Sequence, residues 1–182
     1  MSANTPFSIR RATLTDAAAL AALAERTFRE TFARDNSPQN MDGHCLKSFG
    51  AEIQLAELAD PLGVSLLAEA DGDLAGFAQL KLRSATPCVT AKSACELKRL
   101  YVVRPWHARG VAQELMRAVL AAAAAAKSDR IWLGVWERNP RAMAFYRKFG
   151  FGVVGEHRFD LGTEPQRDLI MAAPVSAAPP SG

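Results

Sequence analysis

No apolar run among these 182 residues approaches the roughly 20 needed to span a bilayer, which excludes a membrane helix. The opening stretch Met1–Pro6 has neither the basic nor the apolar segment of a signal peptide, so a cytoplasmic location is expected. Cysteine is scarce: Cys45, Cys88 and Cys95 show no CxxC spacing, and with only His44, His107 and His157 beside them no metal is expected. The adjacency of Asp42, His44 and Cys45 does not by itself make a metal site, and free thiols in a reducing compartment are the expectation. Excess charge is also small. A net +3 does not argue for nucleic acid, and the basic residues lack the interleaved aromatics of a single-strand binder. Internal repeats and linkers are absent too, so residues 1–173 are read as one domain, with a disordered tail over 174–182.

What is present is unevenly distributed. Residues 1–90 hold 8 Lys/Arg against 11 Asp/Glu, and residues 91–182 hold 14 against 8. A basic C-terminal half suits a polyphosphate ligand, and an acidic N-terminal half suits a cationic one. Hydrophobic periodicity and breakers predict a strand at Ser8–Arg11, then a helix capped by Thr15 and running to about Phe32. Weaker helices follow at Met41–Phe49 and Ala51–Ala59, and a hairpin at Val64–Ala70 and Leu74–Arg83 turns at Asp71-Gly72. Beyond a loop at Ser84–Ala94 come a strand (Glu96–Val103), a helix (Gly110–Lys127), a strand (Arg130–Val135) and a helix from Asn139-Pro140 to Gly150. Strands Phe151–Asp160 and Arg167–Ala172 complete an α/β (α+β) fold with a mixed sheet of six or seven strands.

The densest chemistry lies between Glu96 and Met116, where a strand enters a basic, small-residue turn that opens onto a helix. Backbone N–H groups, a helix N-terminus and cations meet there, which makes a phosphate site. The turn lacks the Gly-Lys-Ser/Thr of a P-loop and the full G-x-G-x-x-G of a dinucleotide fold. Within the strand, Leu97 and Leu100 have opposite parity although both read as core. Either one extra residue near Lys98–Arg99 makes a bulge, or the strand is buried on both faces. Val111, Leu115 and Val119 form the core stripe of the helix that follows. In the second constellation, Asn139 caps a helix with Pro140 in its first turn, Ala142, Phe145 and Phe149 face the core, and Asn139, Met143 and Tyr146 share an adjacent stripe.

Taken together, the two segments resemble the GNAT superfamily of N-acetyltransferases over roughly Val64–Met171. The resemblance implies a GNAT-like, mostly antiparallel sheet with a bulged central strand, flanked by helices. It also implies acetyl-CoA as co-substrate, its pyrophosphate held by the backbone of Gln/Arg-x-x-Gly-x-Gly/Ala. Here those positions are His107, Ala108, Arg109, Gly110, Val111 and Ala112, with His107 in place of the usual Gln or Arg. The strand Leu100, Tyr101, Val102 and Val103 would pair with the pantetheine arm, and its bulge would polarise the thioester carbonyl. Asn139 would contact the cofactor, Lys148 and Arg147 would assist with phosphates, and Tyr146 would protonate the departing thiolate. Glu96 matches a position used as general base, and Glu137 is the alternative.

The implied reaction is direct attack of an amine on acetyl-CoA. A small-molecule amine is the expected partner, without nucleic acid or membrane, and a homodimer stays open. Phe28, Thr31, Phe32, Asn36-Ser37-Pro38 and Met41, with Phe159–Thr163 and Asp168–Met171, resemble bacterial spermidine/spermine acetyltransferases, so polyamines come first. Glu30, Asp35 and Asp42 would suit such a cation. Acetylation of a peptide amine and a non-catalytic acyl-CoA-binding domain are the competing readings.

Overall fold

The computed structural model of the chain describes residues 6–161 and 164–176. Its strands are β1 (Ser8–Arg11), β2 (Gly63–Ala70), β3 (Asp73–Lys81), β4 (Ala94–Val102), β5 (Arg130–Trp136), β6 (Gly152–Leu161) and β7 (Glu164–Pro174). Its helices are α1 (Ala17–Phe32), α2 (Pro38–Ser48), α3 (Ala51–Ala59), α4 (Val111–Ala125) and α5 (Pro140–Arg147). One sheet runs in the order β1-β2-β3-β4-β5-β7-β6. Every neighbouring pair is antiparallel except β4 and β5. The expected mixed, mostly antiparallel architecture is therefore the observed one.

Side-chain alternation sorts the core into two layers. Val64, Leu66 and Ala68 of β2 face α4, whose Val111, Leu115, Met116 and Val119 are fully buried. Each such side chain contributes about 1.5–3 kcal/mol through the apolar area it removes from water. Leu67 of β2 and Phe77 of β3 point the other way, onto Leu20 and Phe28 of α1 and Met41 and Cys45 of α2. The hairpin reads as a nearly unbroken apolar run because both of its faces are covered.

Several element boundaries differ from expectation for identifiable reasons. The expected Thr15 cap is not the observed one: Thr13 caps a single 3-10 turn, Leu14–Asp16, and α1 follows with Asp16 at its N-cap. The Asp16 carboxylate accepts the Thr13 N–H at 2.7 Å and two bonds from Arg10 at 2.8 Å. The Arg10 hydrogen bonds hold that carboxyl well below the usual range. The second helix starts three residues before Met41, because Ser37 caps it and accepts the Asn40 N–H. At the C-terminal end β7 continues through Pro174, and Val175 N–H bonds to Asp129 O at 3.1 Å. Residues 177–182 lie outside the described residues.

Two features of β4 position the site. Gln79 pairs with Arg99 and Leu80 with Leu97, leaving Lys98 unpaired, which is the bulge that the parity of Leu97 and Leu100 indicated. Along its other edge, β4 meets β5 at only three pairs, Ala94 with Arg130, Cys95 with Ile131 and Glu96 with Trp132. Beyond them β4 pairs only with β3, while β5 stays with β7 through Trp136. The sheet opens there into a wedge bordered by strand edges without ladder partners.

Candidate active site

After β4, Val103 N–H bonds to Ala75 O, and a 3-10 turn (Arg104–Trp106) leads to His107. His107 Nε2 lies 2.8 Å from Val102 O; the acceptor is a carbonyl, so the ring donates from Nε2 and ties the turn to the strand end. The side chain that departs from the usual Gln/Arg is therefore engaged within the turn. The Arg109 guanidinium lies 5.1 Å from the Trp106 ring centre, a cation–π contact. Ala108 (φ 60°) and Gly110 (φ 87°) both adopt left-handed backbone, and the space where a Gly110 side chain would sit is empty. The first N–H groups of α4 follow directly, without acceptors inside the helix.

The wedge is occupied by a cleft of about 350 Å³. Glu96, Leu100, Tyr101, Asn139 and Tyr146 line it, so five of the expected site residues converge. Val102 and Val103 do not line it, nor does the run from His107 to Ala112; Val103 is buried against the α1–α2 layer. That run stands at the carboxyl end of β4, where α4 starts, and Asn139 stands at the carboxyl end of β5, where α5 starts. Because β4 and β5 are parallel, both helices begin at one end of the sheet, the usual place for a ligand in an α/β crevice. Asn139 caps α5 by accepting the Ala142 N–H at 3.1 Å. Lys148 lies away from the cleft, in a hollow of about 940 Å³ with Glu114 and Arg117.

Burial pushes the Tyr146 hydroxyl up to about 12, so it stays protonated across the physiological range. Tyr101 is likewise raised by burial and further by Tyr146 and Asp168, which places those groups within electrostatic reach of one another. Glu96 accepts a hydrogen bond from Ser84 Oγ at 2.9 Å. It is not paired with Lys98, whose partner is Glu57. Glu137 holds Arg167 at 2.7 Å and does not line the cleft. The bulge itself is braced from α3: Arg99 donates to Glu57 and to Gln79 at 2.6 Å each, and Gln79 also donates to Gln54. Burial alone would raise Glu57, but Arg99 and Lys98 outweigh it and keep its carboxyl below the ordinary value.

The side of the cleft towards α1 and α2 differs from expectation. Glu30 pairs with Arg26 and Asp42 with Arg29, and neither they nor Asp35 line it. Aromatic rings do: Phe28 stacks on His44 with centroids 4.4 Å apart, and Phe32 meets Trp136 of β5 edge-on at 5.9 Å. Asp168 is there as well, its carboxyl raised by burial and partly countered by His157. Among the described residues, Glu96 and Asp168 are the carboxylates lining the cleft. Sequence reasoning used Asp168 only as part of a resemblance. The available signal was parity, since Asp168 shares a strand face with the buried Ile170. The side chains of Phe159–Thr163, also part of that resemblance, lie outside the described residues.

Residues 19–151 match the Acetyltransferase (GNAT) family. An uncharacterized N-acetyltransferase of Mycobacterium tuberculosis is 35% identical over 158 residues, covering 87% of this chain and 97% of the relative. The spermine/spermidine N(1)-acetyltransferase of Bacillus subtilis is 29% identical over 91 residues, 50% of this chain and 60% of that one. In fold, the chain is similar to the crystal structure of the PaiA N-acetyltransferase from Thermoplasma acidophilum in complex with coenzyme A. The TM-score is 0.74, with 23% identity and coverage of 92% and 98%.

Proposed function

The chain belongs to the GNAT acetyltransferase family and is an acetyl-CoA-dependent N-acetyltransferase; on that premise we propose that it acetylates a primary amine of a small molecule by direct attack within a ternary complex. The observation that carries this reading is the wedge between β4 and β5, with Tyr146 and Glu96 in one cleft and two helix N-termini at its end.

The site fits acetyl-CoA through its backbone. The pyrophosphate is assigned to the N–H groups between Ala108 and Ala112, where left-handed residues and the empty space over Gly110 allow close approach. The pantetheine arm is assigned to the free edge of β4 from Leu100 to Val103, next to Tyr101 and Asn139, and Lys148 to a phosphate on the outer side. Bulge N–H groups near Lys98 would draw charge onto the thioester oxygen.

The amine must first lose a proton, because an ammonium has no lone pair. Glu96, directly or through water, accepts it. The nitrogen then attacks the carbonyl carbon, the new C–N bond forms and the C–S bond breaks. Tyr146 gives its proton to the departing sulfur, and the proton that the acylated nitrogen sheds as the amide forms returns through water to the tyrosine oxygen. A high pKa suits this role, since the hydroxyl is fully protonated when the thiolate leaves.

The test follows free thiol release from acetyl-CoA across polyamines, other amines, amino acids and peptides. Absence of turnover with all of them, despite acetyl-CoA binding, would support a non-catalytic acyl-CoA-binding role instead. Turnover with peptides alone would favour a protein amine. The likeness to the Bacillus subtilis enzyme supports a polyamine acceptor as a second reading. The ion-paired placement of Glu30 and Asp42 outside the cleft weighs against it.

A further inference from the structure

The acceptor side of the cleft has a composition that bears on the chemistry of the amine. An unbroken series of rings crosses it: Trp136 to Phe32 (5.9 Å), Phe32 to Phe28 (4.6 Å) and Phe28 to Phe49 (5.3 Å). The Arg99 guanidinium lies 5.1 Å from the centre of the last ring. The series links β5 to α1 and to the end of α2, so it spans the cleft rather than lining a single helix.

Charge is arranged differently. Lys98 and Arg99 also line the cleft, each paired with Glu57, and so place two cations near the bulge. Glu96 sits on the same strand, and Asp168, with Tyr101 nearby, is the other described carboxylate. Burial raises the Asp168 carboxyl, and His157 partly counters it. A second or third ammonium along a flexible chain would thus meet the Lys98 and Arg99 cations, and among the described residues no spaced series of carboxylates lines the cleft to take it. A cleft of about 350 Å³, which must also admit the acyl end of the donor, is at the small end for ligand sites.

Resting on the N-acetyltransferase reading, we propose that the acceptor is a monoamine with an apolar or aromatic body. The body seats between Phe32 and Trp136, which unlike Phe28 and Phe49 keep part of their surface exposed, and the amine is directed to Glu96. The rings recognise it by burial and stacking.

The experiment compares initial rates of thiol release for phenethylamine, isoamylamine, spermidine and an alanyl peptide at equal, subsaturating concentrations, with acetyl-CoA binding measured in parallel by calorimetry. The expected result is a kcat/KM for phenethylamine at least about ten-fold above that for spermidine, the scale of one lost apolar side-chain contact. Trp136→Ala should raise the phenethylamine KM about ten-fold and leave the acetyl-CoA KM within about two-fold. Phe32→Leu, which keeps bulk if the larger truncation unfolds, should raise it about three-fold. Spermidine or peptide turnover equal to or above that of phenethylamine overturns the monoamine proposal while sustaining the acetyltransferase. Acetyl-CoA binding without thiol release from any amine overturns the enzyme reading and this proposal with it.

Discussion

The turn from His107 to Ala112 is six consecutive residues, whereas the aromatic wall takes Phe32 from α1, Phe49 from the end of α2 and Trp136 from β5. The turn works through backbone: two left-handed residues, a helix start and a histidine bonded to the strand it leaves. The wall works through side chains that only the packing of α1 and α2 on the sheet brings together. If the turn holds the donor as proposed, recognition through backbone would tolerate His107 in place of Gln or Arg, provided the φ angles survive. Recognition built from side chains can change its ligand by one substitution without disturbing the turn.

This contrast predicts where each variant registers. Tyr146→Phe, between the two regions, should lower kcat at least about 100-fold with the acetyl-CoA KM nearly unchanged, the scale of a lost general acid. An unchanged kcat would remove Tyr146 from that role. With its hydroxyl at about 12, the wild-type kcat should show no decline from Tyr146 ionisation up to about pH 10. Glu96→Gln should lower kcat/KM about 30-fold at neutral pH and shift its rise to higher pH, while Glu137→Gln stays within about two-fold. Equal losses in the two would put the base elsewhere, with Asp168 as the next carboxylate in the cleft.

On the donor side, Gly110→Val forces a β-branched residue to a φ of 87°. At about 1–3 kcal/mol of strain it should raise the acetyl-CoA KM roughly ten-fold and leave amine selectivity alone. A change in amine preference would show that the two regions are coupled. The smallest effect belongs to His107→Gln, within about three-fold on the acetyl-CoA KM, because Gln can still donate to Val102 O. A loss much larger than that would mean the imidazole itself contacts the donor.

What was legible in the sequence divides along the same line. The parity of Leu97 and Leu100 raised the bulge as one of two readings, because parity within one strand is a local property, and the register of β3 against β4 decides for it. The same holds for the Gly110 turn and the Asn139 cap, whose partners lie within a few residues. Asp168 and Phe49 were not legible as site residues, since their places depend on β7 lying beside β5 and on α2 folding against α1. The acidic residues misled for a related reason: Arg26 and Arg29 on α1 take up Glu30 and Asp42 on the helix surface, which is the usual fate of such charges. Even the Thr13 cap turned on a tertiary detail, Asp16 being held by Arg10 of β1.

The three residue pairs that join β4 to β5 have a mechanical consequence. They are the ladder contacts connecting a four-stranded half, β1 to β4, with a three-stranded half, β5 to β7. Beyond those pairs the ladder is interrupted by the cleft, and the halves are held together by the apolar core they share, in which Leu115 and Met116 of α4 join Leu80 of β3 to Ile131 and Leu133 of β5. A donor whose arm lay along β4, as proposed, would fill that interruption as an additional strand would.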